Sequence, residues 1–235
     1  NQTEEFDGTS WSAGGAMIIA RWAGGGSSAG TQNAVVIGGG TAAPGDTDYT
    51  EEYNGSTWSA SDALIKGRRT QGAGTQNATV VFGGYDTPAY NSCTEEYNGS
   101  TWSSGNGYPA SRMYIASTGT QNAAIGSGGS SPSATNNTSE YDGTNWSTGG
   151  NLPVSYAYAT AVGTQNSVVQ NGGYISPSTI SCSLAYDGVA WGFLTTSPAC
   201  KFESGGGGTS TSAFFASGGS PASNSKTEMF DCTTS

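Results

Sequence analysis

The chain contains no histidine, and only seven of its 235 residues are lysine or arginine. Without histidine, the commonest general base and commonest metal ligand are missing, which excludes most histidine-dependent hydrolytic and metal chemistry. With so few cations against 17 acidic residues, the net charge is −10. That leaves no basic surface for phosphate, so nucleic acid is not an expected partner. Anionic membranes would repel the same charge. No apolar run approaches the ~20 residues needed to cross a bilayer, so membrane insertion is not expected either. No signal-peptide pattern is present. Asn1-Gln2-Thr3 already lies inside a repeat, as expected of a processed or trimmed chain. Leucine is scarce and no long window has a helical period. No cofactor and no metal site are expected.

What the chain has in quantity is glycine, 38 residues of it, with abundant serine and threonine. Such a composition borders on disorder, but six Trp, 12 Tyr and seven Phe recur at fixed positions and argue for a packed core. The apolar runs are short: Val35-Val36-Ile37, Val80-Val81-Phe82 and Phe214-Phe215. Short apolar runs between Gly, Asn and Ser turns indicate strands.

Self-similarity organises the whole sequence. Gly-Thr-Gln-Asn occurs at Gly30, Gly74, Gly119 and Gly163, with a degenerate Gly-Thr at Gly208, in steps of 44, 45, 44 and 45 residues. A glycine pair follows each time: Gly39-Gly40, Gly83-Gly84, Gly128-Gly129, Gly172-Gly173 and Gly218-Gly219. An aromatic recurs at Phe6, Tyr53, Tyr97, Tyr141, Tyr186 and Phe230, and a Trp follows at Trp11, Trp58, Trp102, Trp146 and Trp191. Each unit reads as four strands. Strand A precedes Gly-Thr-Gln, B is the apolar run ending in Gly-Gly, C carries Glu-Glu-Tyr and D carries Trp. Asn-Gly or Asp-Gly between C and D predicts a type I′ hairpin turn, with φ > 0 at both central residues. A four-stranded unit cannot bury both faces alone, so the units stack around an axis. The expected fold is all-β: one five-bladed β-propeller over residues 1–235, its ring closed by N- and C-terminal strands.

Gly-Gly ending one strand, then Tyr, then Trp at a fixed interval resembles the kelch repeat. The phrase Thr-Glu-Glu-Tyr-Asn-Gly-Ser-Thr-Trp-Ser at Thr50 and again at Thr94 is similar to repeat proteins of marine phages and related viruses. That resemblance implies a fibre or particle-surface protein. The copper site of kelch-type oxidases needs histidine and cannot form here.

Closure is ambiguous, because strand C occurs at both ends, as residues 3–7 and 227–231. The N-terminal D strand is expected to complete the last blade. One C copy is then surplus, swapped or peripheral, unless the chain is a segment of a longer array.

Strand alternation gathers the A–B and C–D turns on one face and the B–C and D–A loops on the other. The uniform turns occupy the first face. The second carries the segments that differ between repeats: 41–49, 85–92, 130–137, 174–181 and 220–225. Binding is expected on this variable face. The candidate residues are Tyr49, Tyr85, Tyr90, Tyr108 and Tyr174 for stacking on sugar rings, Asp46, Asp48 and Asp86 for sugar hydroxyls, and Arg112. Glu-Glu pairs resemble catalytic carboxylates, but adjacent strand residues point to opposite faces and do not converge on one atom. Arg21, Arg68, Arg69 and Arg112 sit near the starts of A strands, where pairing with Glu of neighbouring blades is expected. Several arginines and a degenerate Asp-box at Phe6–Trp11 resemble sialidases, but the spacing differs. Of the four cysteines, Cys182 and Cys200 are disulfide candidates on the variable face, Cys93 and Cys182 lie too far apart to pair, and Cys232 lies near the C-terminus.

The leading expectation is an extracellular or virion-surface binding module without enzymatic activity, recognising a glycan or cell-surface receptor. One alternative is a structural module that assembles through its surplus strand, as a homo-oligomer or with other particle-surface proteins. A second is a sialidase-like hydrolase using Arg21, Arg69 and Arg112.

Overall fold

A computed structural model of the chain describes residues 1–22, 25–26, 30–175, 178–179, 182–196, 202–220, 222–223 and 225–231. The described residues contain strands and no helix. The chain begins with a hairpin of β1 (Glu4–Phe6) and β2 (Trp11–Ala13). Blade 1 comprises β3 (Gly25–Gly26), β4 (Val35–Gly38), β5 (Thr50–Tyr53) and β6 (Trp58–Ser61). Blade 2 comprises β7 (Arg69–Thr75), β8 (Ala78–Asp86), β9 (Thr94–Tyr97) and β10 (Trp102–Gly105). Blade 3 has β11 (Ala116–Thr120), β12 (Ala123–Ser127), β13 (Thr138–Tyr141) and β14 (Trp146–Thr148). Blade 4 has β15 (Thr160–Thr164), β16 (Ser167–Asn171), β17 (Cys182–Tyr186) and β18 (Trp191–Thr196). Blade 5 has β19 (Gly205–Gly208), β20 (Ser212–Ala216) and β21 (Thr227–Asp231). The described pairings are antiparallel, blades 1 to 4 running A-B-C-D and the described strands of blade 5 A-B-C, giving the five-bladed propeller expected from the repeat. The A strands of successive blades touch each other and therefore line the axis.

The core is a series of layers between blades. Val36 and Leu64 meet Val81, Tyr97 and Trp102 between blades 1 and 2. Val80 and Phe82 meet Ile115, Ala124 and Tyr141 between blades 2 and 3. Each Tyr pairs in register with the Trp of its own C–D hairpin, and their rings lie 4.8–5.0 Å apart. The Trp then reaches back one blade. Trp102, Trp146 and Trp191 donate their indole N–H to Thr50, Thr94 and Thr138 at 3.0, 3.0 and 2.9 Å. The tyrosines do likewise, Tyr141 and Tyr186 donating to Glu96 and Glu140 at 2.5 Å. Three glutamines of Gly-Thr-Gln-Asn stitch blades in the same direction. Gln76, Gln121 and Gln165 each donate to two main-chain carbonyls of the preceding blade.

Three expectations need correction. The C–D turn is not type I′, since only its glycine has positive φ (Gly55 88°, Gly99 90°, Gly143 89°). The preceding Asn or Asp folds the loop by accepting two backbone N–H groups, as Asp142 does from Thr144 and Asn145 at 2.8 and 2.6 Å. In blade 5 the residues equivalent to Gly83 and Gly84 (φ 61° and 110°) are Ser217 and Gly218 (φ 60° and 106°), not Gly218 and Gly219. Ser217 N–H donates to Lys226 O just as Gly83 N–H donates to Cys93 O. Finally, β2 does not complete blade 5; it stays paired with β1. The Asp7 loop holds that hairpin together, accepting from Thr9 and Ser10 at 2.7 Å. The hairpin closes the ring through side chains. Trp11 donates to Thr227 at 3.0 Å and Phe6 lies 5.4 Å from Phe214 of blade 5, while Trp58 of blade 1 donates to Thr3 at 2.8 Å.

Candidate functional site

The variable face takes its shape from how the A strands begin. In blade 2 Gly74 follows Arg68 by six positions, but Gly119 follows Arg112 and Gly163 follows Tyr156 by seven. Arg68, Arg112 and Tyr156 occupy equivalent places, since the carbonyl of each accepts a Gly N–H from the end of a B strand. The extra residue takes positive φ, Tyr114 at 58°, Tyr158 at 63° and, in blade 5, Glu203 at 54°, and the A–B register runs unbroken across it, whereas blade 2, which lacks it, shifts register between Phe82 and Tyr85. Aromatic residues rarely adopt this region, and such strain concentrates at functional positions. These positive-φ residues also link to each other. Tyr158 N–H donates to Tyr114 O at 3.1 Å, and Glu203 N–H to Tyr158 O at 2.9 Å.

The result is an aromatic cluster at the mouth of the axis. The rings of Tyr114 and Tyr158 stack with centroids 3.7 Å apart. Tyr158 lies edge-on to Tyr174 and Phe202, which are 5.8 Å from each other. Burial raises the Tyr158 hydroxyl far above the usual phenol range, reinforced by Tyr114 and the negative charge of Glu203. A cavity of about 460 Å³ opens beside the stack, lined by Tyr158, Tyr174 and Ile175 on one side and by Ser130, Pro132 and Ser133 of the blade 3 loop on the other. Nearer blades 1 and 2, the Arg69 guanidinium lies 4.5 Å above Trp22 and 5.4 Å from Tyr85, which packs edge-on against Tyr90.

Of the candidate residues, Tyr85, Tyr90 and Tyr174 thus lie within aromatic contacts of this face. Tyr49 is exposed at 54%, with no ring contact described. Tyr108 and Arg112 are corrections, being 3% and 6% exposed. Tyr108 stacks on Phe82 in the core, and Arg112 donates to Gly128 O at 3.2 Å. Asp86 is held by Lys66 at 2.6 Å. Burial alone would raise the Asp46 carboxyl, but hydrogen bonds from Thr87, Thr41 and Arg69 outweigh it and hold it below the usual range. Those bonds tie the blade 1 loop to that of blade 2, Thr87 N–H reaching Asp46 at 2.9 Å. Cys200 and the side chain of Cys182 lie outside the described residues. Cys93 is an exposed free thiol.

The acidic pairs divide their work. The first Glu of blades 1 and 2 is buried against an arginine of its own blade, Glu51 with Arg21 and Glu95 with Arg68. The second accepts the Tyr hydroxyl of the next blade, as Glu52 does from Tyr97 at 2.5 Å. Of the three arginines a sialidase-like site would use, Arg21 and Arg112 are therefore committed internally, and only Arg69 faces the loops. Among the described residues no group of three His, Cys, Asp or Glu side chains is placed to hold a metal. Sequence reasoning missed Tyr114, Tyr158, Phe202, Trp22 and Glu203. The one-residue difference in A-strand spacing was the signal that marked the first two. Compared with known proteins, the sequence matches no family model and no curated protein.

Proposed function

We propose that the chain is a recognition module of the kelch-like kind, extracellular or on a virion surface, and that its variable face binds a glycan or glycosylated receptor. The observation that carries this reading is the strained Tyr114–Tyr158 stack beside a cavity lined by tyrosine and serine. Aromatic faces with nearby hydroxyls suit the apolar and polar sides of a sugar ring. The adjacent carboxylates Asp46 and Asp86 are already paired with Arg69 and Lys66, so a neutral, hydroxyl-rich ligand fits better than a charged one. The reading is non-enzymatic: among the described residues no nucleophile–base couple accompanies the tyrosines. A fibre or decoration protein of a phage-like particle would use such a face to choose its host surface. A glycan array probed with the purified chain, with and without calcium, tests this. Calcium-independent binding to one sugar family is expected, and a blank array from folded protein would refute it.

A further inference from the structure

The dipeptide Asn-Gly occurs four times in the chain, at Asn54-Gly55, Asn98-Gly99, Asn106-Gly107 and Asn171-Gly172. The fold gives the four copies different surroundings. Asn54 and Asn98 open C–D hairpin loops and are exposed. Asn54 Oδ1 accepts the main-chain N–H groups of Ser56 at 3.0 Å and Thr57 at 2.9 Å. Asn98 Oδ1 accepts those of Ser100 at 3.0 Å and Thr101 at 2.9 Å. Asn106 is also exposed, but its side chain is described only as a donor, from Nδ2 to Asn145 Oδ1 at 3.1 Å. Asn171 is 6% exposed, and its Oδ1 is buried with no hydrogen-bond partner among the described residues.

The turns at Asn54 and Asn98 have the parts of an acyl-transfer site. The carbonyl is that of the Asn side chain itself. Two main-chain N–H groups point at its oxygen, within the range at which such donors stabilise an oxyanion. The nucleophile is the next main-chain nitrogen, Gly55 N or Gly99 N, for which no acceptor is described. The hydrogen bond from Ser56 N–H to Asn54 Oδ1 closes a ring of atoms that includes both Asn54 Cγ and Gly55 N. Glycine has no Cβ to hinder the approach. The equivalent turns at Asp7-Gly8, Asp142-Gly143 and Asp187-Gly188 show what the same donors do to charge. The N–H groups of Ser10 and Thr9 hold the Asp7 carboxyl below the usual range, as do those of Asn145 and Thr144 for Asp142, and of Ala190 and Val189 for Asp187. The loop therefore stabilises negative charge on the side-chain oxygen, and it closes in the same way around Asp or Asn.

We propose that Asn54 and Asn98 are self-modifying sites, at which the turn deamidates its own asparagine to aspartate. Gly55 N attacks Asn54 Cγ and gives up its proton to hydroxide, while the two N–H groups hold the oxyanion that forms on Oδ1. The Cγ–Nδ2 bond then breaks and ammonia leaves, giving a cyclic succinimide. Water adds to Cγ, the bond from Cγ to Gly55 N breaks, and that nitrogen recovers a proton. The net change is amide plus water to carboxylate plus ammonium, with no oxidant or reductant. Opening at the other ring carbonyl would give isoaspartate, whose longer main chain does not suit the Tyr53–Trp58 pairing of the hairpin. Gly99 N acts on Asn98 in the same way. The product turns match the three Asp-Gly turns, and two carboxylates are added to a net charge of −10. Both turns lie beside the A–B turn residues Asn33 and Asn77, on the uniform face. The inference is therefore independent of the glycan reading, which concerns the opposite face.

The test is peptide mapping by mass spectrometry of the whole chain after incubation at mildly alkaline pH, once folded and once in urea, with all four Asn-Gly sites read in each sample. In the folded chain Asn54 and Asn98 should deamidate about tenfold faster than Asn106 and Asn171, a small part of what an oxyanion donor contributes in an enzyme. In urea that advantage should disappear, because the four sites share the dipeptide and lose the loop. Aspartate should be the larger product at Asn54 and Asn98 in the folded chain. The variant Asn54→Asp/Asn98→Asp, which carries that product from the start, should melt at no lower temperature than the wild type. Equal rates at the four sites of the folded chain overturn the proposal. So does an advantage of Asn54 and Asn98 that persists in urea, isoaspartate as the larger product, or a double variant that melts below the wild type.

Discussion

Arg68→Met should be among the most damaging single substitutions in the molecule. Arg68 is 0% exposed. Its guanidinium donates to Gly83 O and Lys66 O, both at 3.0 Å, and to the Glu95 carboxylate. Methionine would leave Glu95 buried, with the Ile65 N–H at 2.7 Å as its remaining described donor. Removing one partner of a buried ion pair costs about 3–5 kcal/mol, because the survivor is an uncompensated charge. Against a typical total stability of about 5–15 kcal/mol, that is a large share. The chain already contains the remedy. At the same two positions blade 4 has Tyr156 and Leu184, which pack with Leu152 as a buried apolar cluster. The double variant Arg68→Tyr/Glu95→Leu should therefore recover most of the loss, ending within roughly 1–2 kcal/mol of the parent. Urea denaturation at neutral pH, compared across parent, single and double variants, measures both quantities. A single variant that loses less than about 1 kcal/mol, or a double variant no more stable than the single, would refute the reasoning.

The same repeat logic yields further expectations. Burial and the Glu52 and Glu140 carboxylates push the Tyr97 and Tyr186 hydroxyls up to about 12 from an ordinary 10.0. The folded state holds these protons more tightly, so their contribution is complete below pH 10.0 and is lost as pH rises toward about 12, which urea midpoints across that window would show. Tyr97→Phe should cost about 1.5–3 kcal/mol by removing the hydrogen bond to the Glu52 carboxylate, whose remaining described donor is Ser61 Oγ at 3.5 Å, and Tyr97→Phe/Glu52→Ala should recover most of it; thermal melts separate the two. Gly84→Ala should cost more than about 2 kcal/mol, since at φ 110° its Cβ would fall 2.0 Å from the Arg69 carbonyl oxygen. Tyr114→Gly should change stability by no more than about 1 kcal/mol, lost stacking offsetting relieved strain, while weakening any sugar that binds the wild-type chain; calorimetry with and without that sugar checks both.

The blade was legible because one contact set recurs five times. Tyr and Trp, five residues apart, had to be partners in a C–D hairpin, and the Gly-Gly pair had to end strand B. The division of the Glu pair was harder to see. Alternation puts Glu51 and Glu52 on opposite faces, but nothing local says that one meets Arg21 and the other Tyr97 a full repeat later. The turn type was misjudged because Asn-Gly serves two geometries, and an Asn side chain accepting Ser56 and Thr57 N–H groups replaces the second positive φ. Tyr108 and Arg112 looked like loop residues because the D–A segment is irregular, yet it dips under the blade 3 sheet and buries both. Axial residues such as Tyr158 escaped notice because position around the axis is a property of the closed ring, not of any one repeat.

The central functional claim is that the axial tyrosines of the variable face bind a sugar. The most direct measurement is a glycan array read with the wild-type chain and with Tyr158→Ala/Tyr174→Ala at matched concentrations, after circular dichroism has shown both folded. The wild type should bind one sugar family and the variant should lose it. Binding that survives in the variant, or an array left blank by the folded wild type, would contradict it.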